Sequence, residues 1–140
     1  MKMSIYFDLS KEEEMQKNII EHVNISVGNT KETAKMLGFL FDWKIRWQGA
    51  AQLGGYTIHI GDEAQYIAIW SVNEEGEAPK KFQKGKPLNH IGIVTKDLDL
   101  IEKRVREYGL EPFSFQDYEP GRRFYFFDPD GIEYEIISYQ

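Results

Sequence analysis

Two histidines stand at matching steps of two similar stretches, Ile20-Glu21-His22-Val23-Asn24-Ile25 and Leu88-Asn89-His90-Ile91-Gly92-Ile93. Near the end of the chain Glu135 adds a carboxylate. Two neutral imidazoles and one carboxylate are the ligand set of an open divalent-metal site, suited to iron, manganese, zinc, nickel or cobalt, with positions left for water or substrate. A lone strand histidine is more often a packing residue. Two in register, with a glutamate at the matching distance, favour a metal. His22 and Ala68 are separated by nearly the same length of chain as His90 and Glu135, so Ala68 is the first-copy counterpart of Glu135.

The elements that must position these groups repeat as well. Each histidine stretch leads into a capped helical pattern and then into strand-like runs, so the chain reads as one supersecondary unit made twice. The first copy, about 19–72, predicts a strand at 19–27 and a helix at 31–41 capped by Asn29 or Thr30, then strands near 43–48, 54–60 and 65–72. The second, about 88–140, predicts a strand at 88–95 and a helix at 98–108 started by Asp97 and stopped by Gly109, then strands near 111–117, 122–127 and 132–139. Residues 73–87, rich in Glu, Lys, Gly and Pro, read as the linker. Residues 1–18 form an N-terminal extension in which Ser10-Lys11-Glu12-Glu13 matches a capping box, predicting a short helix over 11–18.

Strand alternation assigns faces. Val23, Ile25 and Val27 form an apolar row under a helix whose buried stripe includes Ala34, Leu37 and Phe41, which leaves His22, Asn24 and Ser26 on the opposite face. In the second copy Ile91 and Ile93 pack against Leu98, Ile101, Val105 and Tyr108, and His90 takes the face of His22. On the last strand Tyr134 and Ile136 alternate with Glu135, which can then point to the concave side. Tyr66, Ala68 and Trp70 occupy that side in the first copy, so Tyr66 and Trp70 are expected to wall the substrate. The pattern asks for a polar, partly aromatic concavity with helices outside.

Other residues carry weaker signals. Asp128-Pro129-Asp130-Gly131 has the preferences of a type I turn and is read as structural, fixing the register that aims Glu135. Arg122 and Arg123 could hold a substrate carboxylate or phosphate, or form exposed salt bridges. His59 aligns with Phe126 and could line the cavity as a general base, although a packed strand histidine is the commoner case.

Composition sets the context. The 140 residues make one domain with room for a core, and the absence of cysteine excludes disulfides and thiolate chemistry. Seventeen basic against 23 acidic residues give a net charge of −6, and no Lys/Arg stripe is evident, so nucleic acid is not an expected partner. No stretch approaches a membrane span or a signal peptide, and a soluble cytoplasmic protein is the default expectation.

His22 and His90 opening two βαβββ modules, with Asp128-Pro129-Asp130-Gly131-Ile132-Glu133-Tyr134-Glu135-Ile136 closing the second, resemble the vicinal oxygen chelate superfamily of glyoxalase I, bleomycin-resistance proteins, fosfomycin-resistance enzymes and extradiol dioxygenases. The resemblance covers about residues 19–139. It implies an α+β fold whose paired modules form a cupped eight-stranded mixed sheet around a metal, often in a homodimer and sometimes with the site completed across it. Carried over by position, the metal ligands would be His22, His90 and Glu135, binding Fe, Mn, Zn or Ni. Ala68 departs from the glutamate of glyoxalase I, and Gln65 is an alternative fourth ligand. Acid/base candidates are His59 and Tyr125. The function so implied is that of a metal-dependent dioxygenase, lyase or isomerase acting on a small molecule that chelates the ion through vicinal oxygens. The alternative is a metal-free binding protein resembling bleomycin-resistance proteins.

Overall fold

The computed structural model describes residues 18–118 and 121–140. The helix expected over 11–18 falls, apart from its last position, outside them. The first module runs β1 (His22–Ser26), α1 (Thr30–Phe41), β2 (Lys44–Ala50), β3 (Tyr56–Gly61) and β4 (Tyr66–Ser71). The second runs β5 (Ile91–Val94), α2 (Leu98–Glu107), β6 (Phe113–Tyr118), β7 (Gly121–Phe127) and β8 (Glu133–Ser138). The two βαβββ modules are therefore present, and their eight strands form two four-stranded mixed sheets of the same order, β1-β4-β3-β2 and β5-β8-β7-β6. In each the first strand runs parallel to the last and the other pairings are antiparallel.

The helices begin where the sequence places their caps. Asn29 Oδ1 accepts from the Glu32 N–H at 3.1 Å, and Asp97 Oδ1 accepts from the Leu100 N–H at 3.1 Å. Such caps contribute about 1 kcal/mol each by satisfying otherwise orphaned donors. Each helix lays its apolar stripe on its own sheet: Ala34, Leu37 and Leu40 in α1, and Leu98, Ile101 and Val105 in α2. They meet Ile25, Ile58, Ile60, Ile67 and Ile69 in the first module, and Phe124, Phe126, Tyr134 and Ile136 in the second, in one continuous core. Val23, expected in the inner row, is 40% exposed, since the helix reaches only as far as Ile25.

The modules join through their helical layers. Arg104 of α2 pairs with Asp42 at the end of α1 at 2.9 Å, and the Phe39 and Tyr108 rings lie 5.5 Å apart. Residues 73–87 contain no helix or strand, as expected of a linker, but they pack back: the Phe82 N–H donates to the Asp130 carbonyl at 2.6 Å. Because the modules touch helix to helix, the faces bearing His22 and Glu135 lie beyond their sheets, away from that junction.

Candidate metal centre and the flanking aromatic cluster

The second module brings two of the three proposed ligands together. His90 precedes β5, and its Nε2 lies 2.9 Å from Glu135 Oε2. The other oxygen of Glu135 accepts from Arg123 Nη1 at 3.0 Å, with both side chains largely enclosed. His90 Nδ1 is held by Asn89 Oδ1 at 2.8 Å. With Nδ1 donating there, Nε2 presents a lone pair to a carboxylate oxygen. Two acceptors at that distance need a cation between them, a proton or a metal ion.

His22 opens β1 on the other sheet. Its Nδ1 lies 2.8 Å from Glu21 Oε1, so again the residue just before the histidine fixes the ring and frees Nε2. Acceptors on the second nitrogen are the usual way of orienting a metal-binding imidazole. The hydrogen bond from His22, opposed by slight desolvation, lowers the Glu21 pKa. The His22 ring stacks on Tyr66 at 4.7 Å, Tyr66 stacks on His59 at 4.8 Å, and His59 meets Trp47 at 5.2 Å. Arg46 lies over Tyr66, its guanidinium carbon 4.4 Å from the ring centre. Burial first, and then the nearby charges of His22 and Arg46, lower the His59 pKa, so the imidazole is neutral at neutral pH. Burial and the Glu21 charge raise that of Tyr66.

Register confirms one sequence alignment and corrects another. Ala68 pairs with Asn24, and Glu135 with Gly92, each two residues after its histidine, so Ala68 does stand where Glu135 stands. His59 faces Ala68 across the ladder and Tyr125 faces Glu135. The counterpart of His59 is therefore Tyr125, not Phe126. The turn 128–132 is one residue longer than its first-module equivalent, and counting along the chain missed that residue.

The remaining candidates separate by face. Arg123 shares the side of Glu135, whereas Arg122 alternates to the helix side and pairs with Asp99 at 3.0 Å. Trp70 lies at the far end of β4 from His22, its indole N–H donating to the Gly54 carbonyl at 2.9 Å. A Cβ at Gly55, whose φ is +88°, would collide with that indole. Gln65 precedes β4 and by alternation takes the side of Ile67. Asp128 and Asp130 are structural, as the turn chemistry implies: Asp128 Oδ1 accepts from the Ile132 N–H, and Asp130 Oδ1 from the Gly28 N–H at 2.8 Å in the other module. Gly131 supplies the positive φ, +84°, that the turn requires.

Among the described residues no three His, Asp or Glu side chains within one chain come close enough to hold a metal ion. His90 and Glu135 are assembled; His22 is on the other sheet. In donor chemistry the set fits a divalent ion, since both Nε2 atoms are free of the neighbours that fix Nδ1. Sequence reasoning missed Arg46, Glu21 and Asn89. An acceptor side chain immediately before each repeated histidine was the available signal for the last two.

Paired βαβββ modules and repeated histidines define a class. The chain belongs to the Glyoxalase/Bleomycin resistance protein/Dioxygenase superfamily, which matches residues 19–136. Among solved structures it is similar to a glyoxylase/bleomycin resistance protein/dioxygenase domain from Frankia sp. EAN1pec, with 20% identity, a TM-score of 0.75, and coverage of 89% of this chain and 99% of that one. It is also similar to the fosfomycin resistance protein FosX from Listeria monocytogenes complexed with Mn(II) and sulfate, with 17% identity, a TM-score of 0.68, and coverage of 89% and 94%. FosX from Mesorhizobium loti gives 20% identity, a TM-score of 0.62, and coverage of 89% and 93%. At these identities the likeness is one of fold. Comparison with curated protein sequences gives no match. No helix among the described residues is long and apolar enough to cross a membrane.

Proposed function

We propose that the protein is a metal-dependent enzyme acting on a small substrate that chelates a divalent ion through neighbouring oxygens, and that its site is shared between two chains. His22 of one chain and His90 with Glu135 of the other would hold the ion. The observation that carries this reading is the matched orientation of the two imidazoles: in both modules the preceding residue engages Nδ1 at 2.8 Å and leaves Nε2 for a ligand. When bound, the ion would supply Lewis-acid polarisation of the chelating oxygens. Arg123 holds the Glu135 carboxylate in place, and neutral His59 is the candidate proton acceptor. Tyr125, opposite Glu135, is the second acid/base candidate. Tyr66, buried and stacked on both His22 and His59, backs the first-module imidazoles.

A dimer accounts for the separation of the donors. Among the described residues β1 and β5 are each an outer strand of a four-stranded sheet, and open edges of this kind are covered in stable proteins. Bringing the β1 edge of one chain beside the β5 edge of its partner would set His22 near His90 and Glu135 twice over, as two-fold symmetry requires.

Complementation tests this. His22→Ala and Glu135→Gln chains, each expected to lose Mn(II) binding alone, are co-expressed with different tags and isolated as a mixed dimer. One site in that dimer has every ligand intact, so about one ion per dimer is expected. A mixed dimer that binds none, or a monomer by light scattering, rejects the shared site.

A second reading rests on a specific observation: Arg123 and His90 together engage both oxygens of Glu135. In this alternative the protein sequesters a small molecule without turnover, as bleomycin-resistance proteins do. Well under a tenth of an equivalent of metal, after adding Fe(II), Mn(II), Zn(II) or Ni(II) to untagged protein, would favour it.

A further inference from the structure

The chain has five arginines, and four of them are ion-paired: Arg104 with Asp42, Arg106 with Glu102, Arg122 with Asp99 and Arg123 with Glu135. Arg46 differs. Among the described residues it has no carboxylate at ion-pair distance, and its Nη1 is enclosed without a hydrogen-bond partner. Glu21 and Asp62 feel its charge without pairing to it. It sits at the irregularity in β2, where pairing to β3 shifts register between Ile45 and Trp47. A bulge re-aims the side chain it carries, and here the guanidinium ends over Tyr66 instead of on a surface acid.

We propose that Arg46 receives an oxyanion group of the substrate, a carboxylate, phosphonate or phosphate. This rests on the metal-site reading above and specifies its substrate: a short molecule with metal-chelating oxygens at one end and an anionic group at the other. The geometry sets the span. The His22 ring and the Arg46 guanidinium lie 4.7 Å and 4.4 Å from the same Tyr66 ring centre, so they are no more than about 9 Å apart, within the span of a small molecule. Over Tyr66 the guanidinium has a cation–π partner but, among the described residues, no ion pair, which suits fork-like recognition of an oxyanion. A structural role alone gives no account of why, among the described residues, this arginine lacks the acid that each of the others has.

The test follows the Arg46 Nε–H resonance by NMR, in metal-free and in Zn(II)-loaded protein, during titration with methylphosphonate and, separately, acetate. A saturable shift is expected in the wild type with at least one of the two, and the one binding more tightly identifies the anion class. Arg46→Gln should weaken that binding tenfold or more while leaving Zn(II) affinity within about twofold; Glu135→Gln should do the reverse. Unchanged anion affinity in Arg46→Gln, or no saturable shift in the wild type, overturns the proposal. Should Arg46→Gln fail to fold, the wild-type resonance alone decides. Absence of Zn(II) binding in the wild type defeats the metal reading instead, and the anion titration is still read on metal-free protein.

Discussion

His59 and Tyr125 occupy the same place in the two modules, each directly across the ladder from the position that does or does not carry a metal ligand: His59 faces Ala68, and Tyr125 faces Glu135. Neither is in the proposed ligand set. His59→Ala should therefore leave Mn(II) affinity within about twofold, as read by calorimetric titration, with a thermal melt as the fold control. Loss of metal in a folded His59→Ala protein would mean that the first-module imidazoles have been assigned the wrong roles.

Glu135→Gln is nearly isosteric and should still fold, melting below the wild type because the enclosed Arg123 loses its carboxylate, while metal affinity falls by at least tenfold, the sole anionic ligand having been removed. Ala68→Glu places a carboxylate at the equivalent register position of the first module. It should tighten metal binding and leave fewer open coordination positions. Wild-type affinity in Glu135→Gln would rule out this ligand set.

His90 Nε2 and Glu135 Oε2 face one another at 2.9 Å while Nδ1 is engaged by Asn89, so the ion is expected to enter at this pair. Metal uptake should release protons, measurable in weakly buffered solution at neutral pH. Uptake without release would show that the pair opens before the metal binds.

Arg123→Gln leaves a largely enclosed carboxylate without its cation. Metal-free protein should lose about 3 kcal/mol of stability, the low end of the cost of breaking an enclosed pair. Saturating Mn(II), which binds only the folded chain, should recover much of it. Thermal melts with and without metal supply the comparison, and equal losses in both would place Arg123 outside the site.

Asp128 gives a stability prediction of definite sign. Burial pushes its pKa up to about 7, against an ordinary value of 3.8, with the Asp130 charge adding to the rise and backbone hydrogen bonds opposing it. A carboxyl raised in the fold stabilises when protonated, so its contribution is fully present below about pH 4 and is lost as pH rises through about 7. Asp128→Asn keeps an oxygen for the Ile132 N–H and cannot ionise. It should be more stable than the wild type at pH 8, by an upper limit of about 4 kcal/mol, with the difference shrinking as the pH falls towards 4. Chemical denaturation at several pH values checks this, and a pH-independent difference would refute it.

The sequence carried the elements and the faces because both are local. Period-2 alternation put His22 opposite Ile25 and Glu135 opposite Tyr134, and Asn29 and Asp97 marked helix starts that the structure repeats. It did not carry neighbours. Alternation says which way His22 points, yet what lies beyond β1 depends on how α1 and α2 pack, a relation between segments far apart in the chain. Arg46 was hidden for another reason: a bulge shifts pairing by one residue, and a count of positions sees only an arginine in a strand.

The paired turns have diverged. In the first module Asp62 turns back on itself, its Oδ1 accepting from the Ala64 and Gln65 N–H groups. In the second, Asp128 keeps that inward turn by accepting from the Ile132 N–H, and Asp130 in addition reaches out and takes the Gly28 N–H of the first module. The halves are thus no longer interchangeable parts. A chain built from two first modules would keep every strand and lose the clasp, whereas one built from two second modules would carry a clasp with no glycine at the receiving position, since Lys96 follows Thr95 where Gly28 follows Val27. Whatever ancestor was copied, each half now folds as the other's complement.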